Sequence, residues 1–333
     1  MRSLIPTFTL MALACAKPQT PTMPEDELDV VEEELAFTVG DRPVSATYTR
    51  PDTTGDVPVV LFIAGSGPTD RDWNSPLLPG ENGSGALLAH ALAERGIASL
   101  RYDKFGLDGF TGQLSWSDYA DEQRAGLGLL LDRQDTAGLW IAGHSEGGLH
   151  ALSLAAEGVS DVNGLVLMAT PGRPLDDVLI TQVAEVAGAE HAASLDMALT
   201  QFRSGRSDLH VNHPEVDALL TSLQHPQTRP FVDELLFWDP VVRVRSVDLP
   251  LLIVHGAKDI QVSGSKDADS LEAAARGAAN DVTRVDLPWS DHLFKLEQRP
   301  LHELGPDAAR SYNAPERQLD PMLPDAIAAW IYR

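Results

Sequence analysis

From residue 35 onward, uninterrupted apolar runs alternate with stretches in which apolar residues recur every three or four positions. Apolar runs rich in branched side chains read as strands buried on both faces. The three-to-four spacing is the stripe of a packed helix. The pattern predicts strands over Val57–Ala64, Ile97–Tyr102, Leu139–Ala142, Gly164–Ala169, Pro250–His255 and Val282–Leu287. It predicts helices over Gly85–Arg95, Asp118–Asp132, Glu146–Glu157 and Leu323–Tyr332. Ala36–Val39 and Val44–Arg50 read as an antiparallel hairpin at a sheet edge, turning at Gly40-Asp41. Strands alternating with helices predict an α/β fold, a mainly parallel central sheet flanked by helices.

One stretch departs from the alternation. Residues 173–248 carry helical patterns at Asp177–Arg203, Glu215–Leu223 and Phe231–Leu236 and no clear central strand. We read it as a helical cap inserted between two parts of one core, 35–172 and 249–333. No internal repeat is found.

The N-terminus reads as an address. Leu4–Ala14 is a largely apolar stretch behind Arg2, too short for a bilayer span of about 20 residues and sized like a signal-peptide core. It ends in Ala12-Leu13-Ala14-Cys15, similar to a bacterial lipoprotein signal in which Cys15 becomes the lipidated residue. Residues 1–15 are therefore expected to be a signal with a lipobox, and the protein to be exported and anchored by lipid to a bacterial membrane. An ordinary secretory signal, giving a secreted or periplasmic protein, is the alternative. Residues 16–34 follow as an expected tether, Pro- and Thr-rich and then strongly acidic, with seven acids between Glu25 and Glu34.

Charge narrows the partners. The 333 residues hold 25 Lys and Arg against 49 Asp and Glu, a net charge of −24. Such a chain repels phosphate backbones and anionic lipid, so no nucleic acid is expected, and membrane contact is expected only through the lipid anchor. Cys15 is the single cysteine, which excludes a disulfide scaffold and suits an exported protein.

The chemistry centres on Gly143-His144-Ser145-Glu146-Gly147-Gly148. It fits G-x-S-x-G between a predicted strand and a predicted helix, the context of a nucleophile on a sharp strained turn. That turn presents the Ser145 hydroxyl and sets the Glu146 N–H at a helix N-terminus, where it can stabilise an oxyanion. Ser145 then needs a base and an orienting acid, in the chain order Ser, acid, His. Asp259 follows the strand Pro250–His255 at its C-terminal end, and Asp267 is the second choice, farther from the strand. His292 is the first histidine after Asp259 and follows strand Val282–Leu287 by a short loop. Of the other nine histidines, His90 and His150 fall on predicted helices beside polar faces. His191, His210, His213 and His225 fall in the cap, and His302 in a polar stretch. His255 precedes the acid loop and reads as structural, and His144 reads as a packing residue. The second oxyanion N–H is expected from the loop after Val57–Ala64, from Ser66 or alternatively Gly67. Asp70, Arg71 and Asp72 read as a local ion-pair brace.

These blocks resemble the α/β-hydrolases, and more narrowly capped bacterial carboxylesterases and serine-aminopeptidase-like hydrolases. The matching segments are GSGPTDRD at 65–72, LRYDKFG at 100–106, GHSEGG at 143–148, HGAKDIQV at 255–262 and SDHLFK at 290–295. The resemblance implies a Ser145–His292–Asp259 triad, an oxyanion hole at Ser66 and Glu146, and no metal or organic cofactor. Where relatives usually carry a basic residue and a further glycine after Asp-Lys, this chain has Phe105-Gly106-Leu107-Asp108. The expected activity is hydrolysis of a small-molecule carboxylic ester of short to medium acyl chain through an acyl-enzyme. An aminopeptidase-like amide hydrolase is the alternative, with Glu185, Glu190 or Asp233 of the cap binding a free amine. A non-catalytic, surface-anchored binding module is the alternative from another class. An acyl-CoA thioesterase fits less well, because that substrate is anionic and intracellular.

Overall fold

The computed structural model describes residues 22–333 apart from 77–78, 108–111, 160, 279, 306–307 and 310. Residues 1–15 with Cys15, and Asp108, lie outside the described residues.

The chain builds one eight-stranded sheet in the order β1-β2-β4-β3-β5-β6-β7-β8. β1 (Val30–Val39) and β2 (Arg42–Pro51) form the expected hairpin, and β2 runs antiparallel to β4 (Ala98–Tyr102). β3 (Val57–Ile63), β5 (Thr136–His144), β6 (Gly164–Met168), β7 (Leu251–Gly256) and β8 (Val282–Leu287) continue it in parallel. Strand β3 shows why its apolar run is continuous. Val60 and Phe62 pack on one face with helices α1 (Ser84–Ala93) and α10 (Met322–Ile331), while Leu61 and Ile63 pack on the other. That second face is covered by α2 (Trp116–Leu131), α3 (Glu146–Ala156) and α9 (Asp269–Gly277). Both faces are dry, so no polar position is spared.

The tether expectation for 16–34 is corrected at its C-terminal end. β1 starts at Val30, so residues 30–34 belong to the sheet and not to a spacer. The acids there meet cations on neighbouring elements. Glu32 pairs with Arg101 at 2.8 Å, Glu33 with Arg50 at 3.1 Å and Glu34 with Arg71 at 2.7 Å. A charge run stays solvated only when nothing opposite can neutralise it.

Residues 173–248 contain helices joined by turns and irregular segments, with no strand among the described residues. They form α4 (Leu175–Ala187), α5 (Ala189–Arg203), α6 (Pro214–Leu223), α7 (Arg229–Leu235) and α8 (Pro240–Val244). The single helical pattern at 177–203 is broken at Gly188, whose φ of 91° no helix adopts. The last piece, α8, packs on the core helices α3 and α9. Helix α9 is absent from the sequence-based elements. It opens with a wide helical turn over Gly264–Ala268 whose polar residues hide the apolar stripe behind it. Among the described residues no helix is long and apolar enough to cross a membrane.

The sheet order dictates where a site forms. The chain leaves β3 for β4 on one side and returns to β5 on the other, so β3 and β5 flank the reversal point. In open α/β sheets such a reversal point, beyond the C-terminal strand ends, is where sites form.

Candidate active site

Ser145 sits at that reversal point, between β5 and α3, with φ 53° and ψ −122°. This is a left-handed region that side chains avoid, and surrounding contacts hold it there. The Ser145 N–H donates to the Met168 carbonyl oxygen on β6 at 2.8 Å. The flanking glycines are required by close approach. A Cβ on Gly143 would run into the Gly147 carbonyl, and one on Gly147 into the carbonyl oxygens of Ile63 and Ala64. The start of α3 is thereby pressed onto the end of β3.

The β3 loop reaches the same place. A Cβ on Gly65 would lie 3.1 Å from His144 Nδ1 and 3.3 Å from Ser145 Cβ. Ser66 follows directly and is exposed, while Glu146 is buried. Among the described residues neither the Ser66 nor the Glu146 N–H donates to a protein acceptor. Gly67 adopts a φ of 84°, which only glycine takes readily, so the loop turns there. The expected local ion-pair brace is corrected: Arg71 and Asp72 form their ion pairs with distant partners, and Asp70 caps the turn through backbone N–H groups. Arg71 pairs with Asp103 at 2.8 Å and with Glu34, Asp72 pairs with Arg101 at 2.8 Å, and Asp70 accepts from the Asp72 and Asn74 N–H groups at 2.9 Å.

Asp259 and His292 meet across loops that follow β7 and β8. His292 Nδ1 donates to Asp259 Oδ2 at 2.8 Å, and both residues are buried. Asp259 Oδ1 accepts from the N–H groups of Gln261 at 2.7 Å and Val262 at 3.0 Å. Burial pushes the Asp259 carboxyl up, but His292, with His255 and the Val262 N–H, outweighs it and holds it below its usual value. Burial pushes the His292 imidazole down, and Asp259 reverses this to leave it raised. Among the described residues no hydrogen bond joins Ser145 Oγ to His292. What links their loops is His144. Its ring stacks on Trp73, 4.9 Å between centroids, and its Nε2 donates to the His292 carbonyl oxygen at 2.8 Å. Burial drives His144 down to about 3, so the ring stays neutral.

Asp267, the second choice for the acid, is used elsewhere. It is fully buried, accepts from Arg173 at 2.9 Å and from the Gly172 and Ser263 N–H groups, and so staples the entry to the cap. His150 lies 3.6 Å from the Glu146 carboxylate, on a polar patch that is buried and not solvated. It is fully buried, its ring 4.3 Å from that of Trp116, because α2 and the cap close over it. The cap acids do not converge. Glu185 lines a cavity of about 590 Å³ with Arg173, Gln182, Asp259 and Arg284, whereas Asp233 pairs with Arg229 and lines a different groove, and Glu190 is exposed. Neither Ser145 nor Ser66 lines the 590 Å³ cavity. Among the described residues no group of three or more His, Cys, Asp or Glu is arranged to hold a metal ion.

Two residues of the site escaped sequence reasoning. Lys104, just past β4, donates to Glu146 Oε1 at 2.7 Å and to the Gly65 carbonyl oxygen at 2.8 Å. His144 was expected only to pack. The signal for Lys104 was its place in the LRYDKFG block, and nothing local announced its acceptors.

A family model described as serine aminopeptidase, S33, matches residues 82–298, more than half of the chain. The chain belongs to the serine aminopeptidase S33 family. The matched span of the family holds Ser145, Asp259 and His292 and begins after Ser66. The chain is also similar to esterase EstD of Thermotoga maritima, 26% identical over 235 residues that cover 69% of this chain and 53% of the relative. It thus spans about half the length of that curated relative. Among solved structures, Est1E from Butyrivibrio proteoclasticus aligns with a TM-score of 0.56 at 15% identity, covering 90% of this chain and 97% of that one. A carboxyl esterase from Bacillus coagulans in complex with glycerol aligns with a TM-score of 0.55 at 15% identity, covering 90% and 98%. The esterase domain of a Rhodothermus marinus protein aligns with a TM-score of 0.53 at 19% identity, covering 91% and 98%. At these identities the likeness concerns the fold, which is that of the α/β-hydrolases.

Proposed function

We propose that this chain is a serine hydrolase that cleaves small carboxylic esters of short to medium acyl chain. The observation that carries the reading is the buried 2.8 Å pair of His292 Nδ1 and Asp259 Oδ2 on loops tied to the strained Ser145 elbow. The relatives named esterases agree with it.

In this reading His292 Nε2 takes the Ser145 proton while Oγ attacks the ester carbonyl carbon. The carbonyl oxygen becomes an oxyanion held by the N–H groups of Ser66 and Glu146. Collapse breaks the bond to the alkoxy group, which leaves with the proton from His292. Water then gives a proton to His292, attacks the acyl-enzyme and releases the acid, and the proton returns to Ser145. Asp259 keeps the Nδ1–H tautomer and stabilises the imidazolium. Each oxyanion donor is worth about 3 kcal/mol of barrier.

Amide hydrolysis at a free amino terminus is the second reading. It is favoured by the family's description and by Glu185, which lines the cavity that Asp259 also borders. Hydrolysis of p-nitrophenyl esters from acetate to palmitate, beside aminoacyl-p-nitroanilides and with Ser145→Ala as control, separates the two. Ester turnover lost in the variant supports the esterase, and its chain-length optimum sizes the acyl site. Anilide turnover alone moves the reading to aminopeptidase. Turnover of neither, with no labelling by a fluorophosphonate, leaves a binding module.

We also propose that Cys15 carries a lipid anchor in an exported protein, which rests on residues 1–15 alone. Palmitate labelling of the full chain in a bacterial host, lost in Cys15→Ser, tests it.

A further inference from the structure

Lys104 is 4% exposed, and its ammonium lies over the Tyr119 ring, 4.7 Å from the centroid. Its two hydrogen bonds go to particular places. The Gly65 carbonyl, 2.8 Å from Nζ, belongs to the same peptide group as the Ser66 N–H. The second acceptor, at 2.7 Å, is the side chain of Glu146, whose own backbone N–H is the other oxyanion donor.

A trans peptide is planar, so its C=O and N–H point to opposite sides. Among the described residues no peptide bond is cis. Holding the Gly65 oxygen therefore fixes the direction of the Ser66 N–H and opposes a flip of that peptide. A cation on the oxygen also polarises the amide and strengthens its N–H as a donor. Stability alone explains the arrangement poorly, because a buried ion pair contributes little over apolar side chains of the same volume. We infer that Lys104 is a positioning residue of the oxyanion hole: one ammonium clamps the Ser66 peptide through Gly65 O and the start of α3 through Glu146 Oε1. The inference rests on the serine-hydrolase reading of the same site.

The test compares Lys104→Met, Glu146→Gln, Lys104→Arg and the double variant Lys104→Met/Glu146→Gln in the full chain. The readouts are p-nitrophenyl ester kinetics and the affinity for a trifluoromethyl ketone, which Ser145 converts to a bound oxyanion. Lys104→Met is expected to lower kcat by about 10- to 100-fold, less than the loss of a whole donor. KM should stay within about twofold, because the interaction forms with the transition state and not with the substrate. Ketone affinity should fall by the same factor as kcat, and Lys104→Arg should restore part of both. A merely structural role would lower Tm and leave kcat per folded molecule and ketone affinity unchanged. Lys104→Met strands a buried carboxylate, so if it fails to fold the neutral double variant decides. A folded double variant with wild-type kcat and ketone affinity overturns the inference. Ester turnover that survives Ser145→Ala overturns the hydrolase reading beneath it. Loss in Ser145→Ala together with a fully active double variant overturns the clamp alone.

Discussion

The imidazole of His144 donates a 2.8 Å hydrogen bond from Nε2 to the backbone carbonyl oxygen of His292. The residue before the nucleophile therefore holds the loop that carries the base, across a sequence separation of 148 residues. Both groups are buried, so losing the donor leaves a carbonyl unsatisfied. His144→Phe keeps the ring against Trp73 and removes the N–H. We expect a stability loss of about 1–3 kcal/mol in urea denaturation. We also expect kcat to fall more than KM rises, because the His292 loop loses its register. Unchanged kcat and stability would show that the bond is dispensable.

Asp259→Asn is expected to lower kcat by about 10⁴-fold with a folded chain. The asparagine oxygen can still accept from the Gln261 and Val262 N–H groups, so the loop keeps its shape. Its NH2 faces His292 Nδ1 and can only donate, which forces the imidazole into the wrong tautomer. Steady-state kinetics beside a circular dichroism spectrum check this.

Asp267→Asn separates the two acids that sequence order left open. It removes the negative charge and one of the two acceptor oxygens that a fully buried carboxylate offers Arg173 at the seam of core and cap. Arg173 is partly solvated, so the cost is about 3 kcal/mol, the low end for a broken buried pair. Ester turnover per folded molecule is expected to survive, in contrast to Asp259→Asn. A dead but folded Asp267→Asn with an active Asp259→Asn would exchange their roles.

The pH profile follows from the shifts at the pair. Burial works against His292 charging, yet Asp259 raises it above its usual 6.5. A general base must be neutral, so the acid limb of kcat/KM should lie above about pH 6.5 and move down in residual activity of Asp259→Asn. The linked stability has the opposite sense. The raised histidine stabilises the fold fully below its ordinary value and loses that contribution as pH rises through the folded value. The lowered Asp259 stabilises above its ordinary value and loses this as pH falls through the folded one. Denaturation of wild type and Asp259→Asn should therefore differ most between those two ordinary values, near pH 5.

A chain beginning at residue 35 should be less stable than one beginning at residue 22. It loses the pairing of Val30–Glu34 with β2 and removes Glu32 from Arg101, which is only 4% exposed. A Tm lower by more than about 4 °C is expected. Equal melting would return residues 30–34 to the role of spacer.

Local patterns carried much of this protein. The strand β3, the elbow at Ser145 and the acid and histidine after β7 and β8 were legible because a two-sided buried strand and a strand–turn–helix glycine pattern are short-range signals. The alternation of elements was enough to specify an α/β sheet, and the place of Asp259 just past the end of a predicted strand ranked it over Asp267, which chain order alone left open. Tertiary structure decided which of these groups touch. The acids of 30–34 became sheet because arginines from β2, β4 and the Ser66 loop stand opposite them. Gly188 split one helical pattern in two. His144 met His292, and Lys104 met Gly65 and Glu146, over separations of 39 to 148 residues. Hydrogen bonds and ion pairs act over about 3 Å in space and are indifferent to distance along the chain, so periodicity could locate these residues but not pair them.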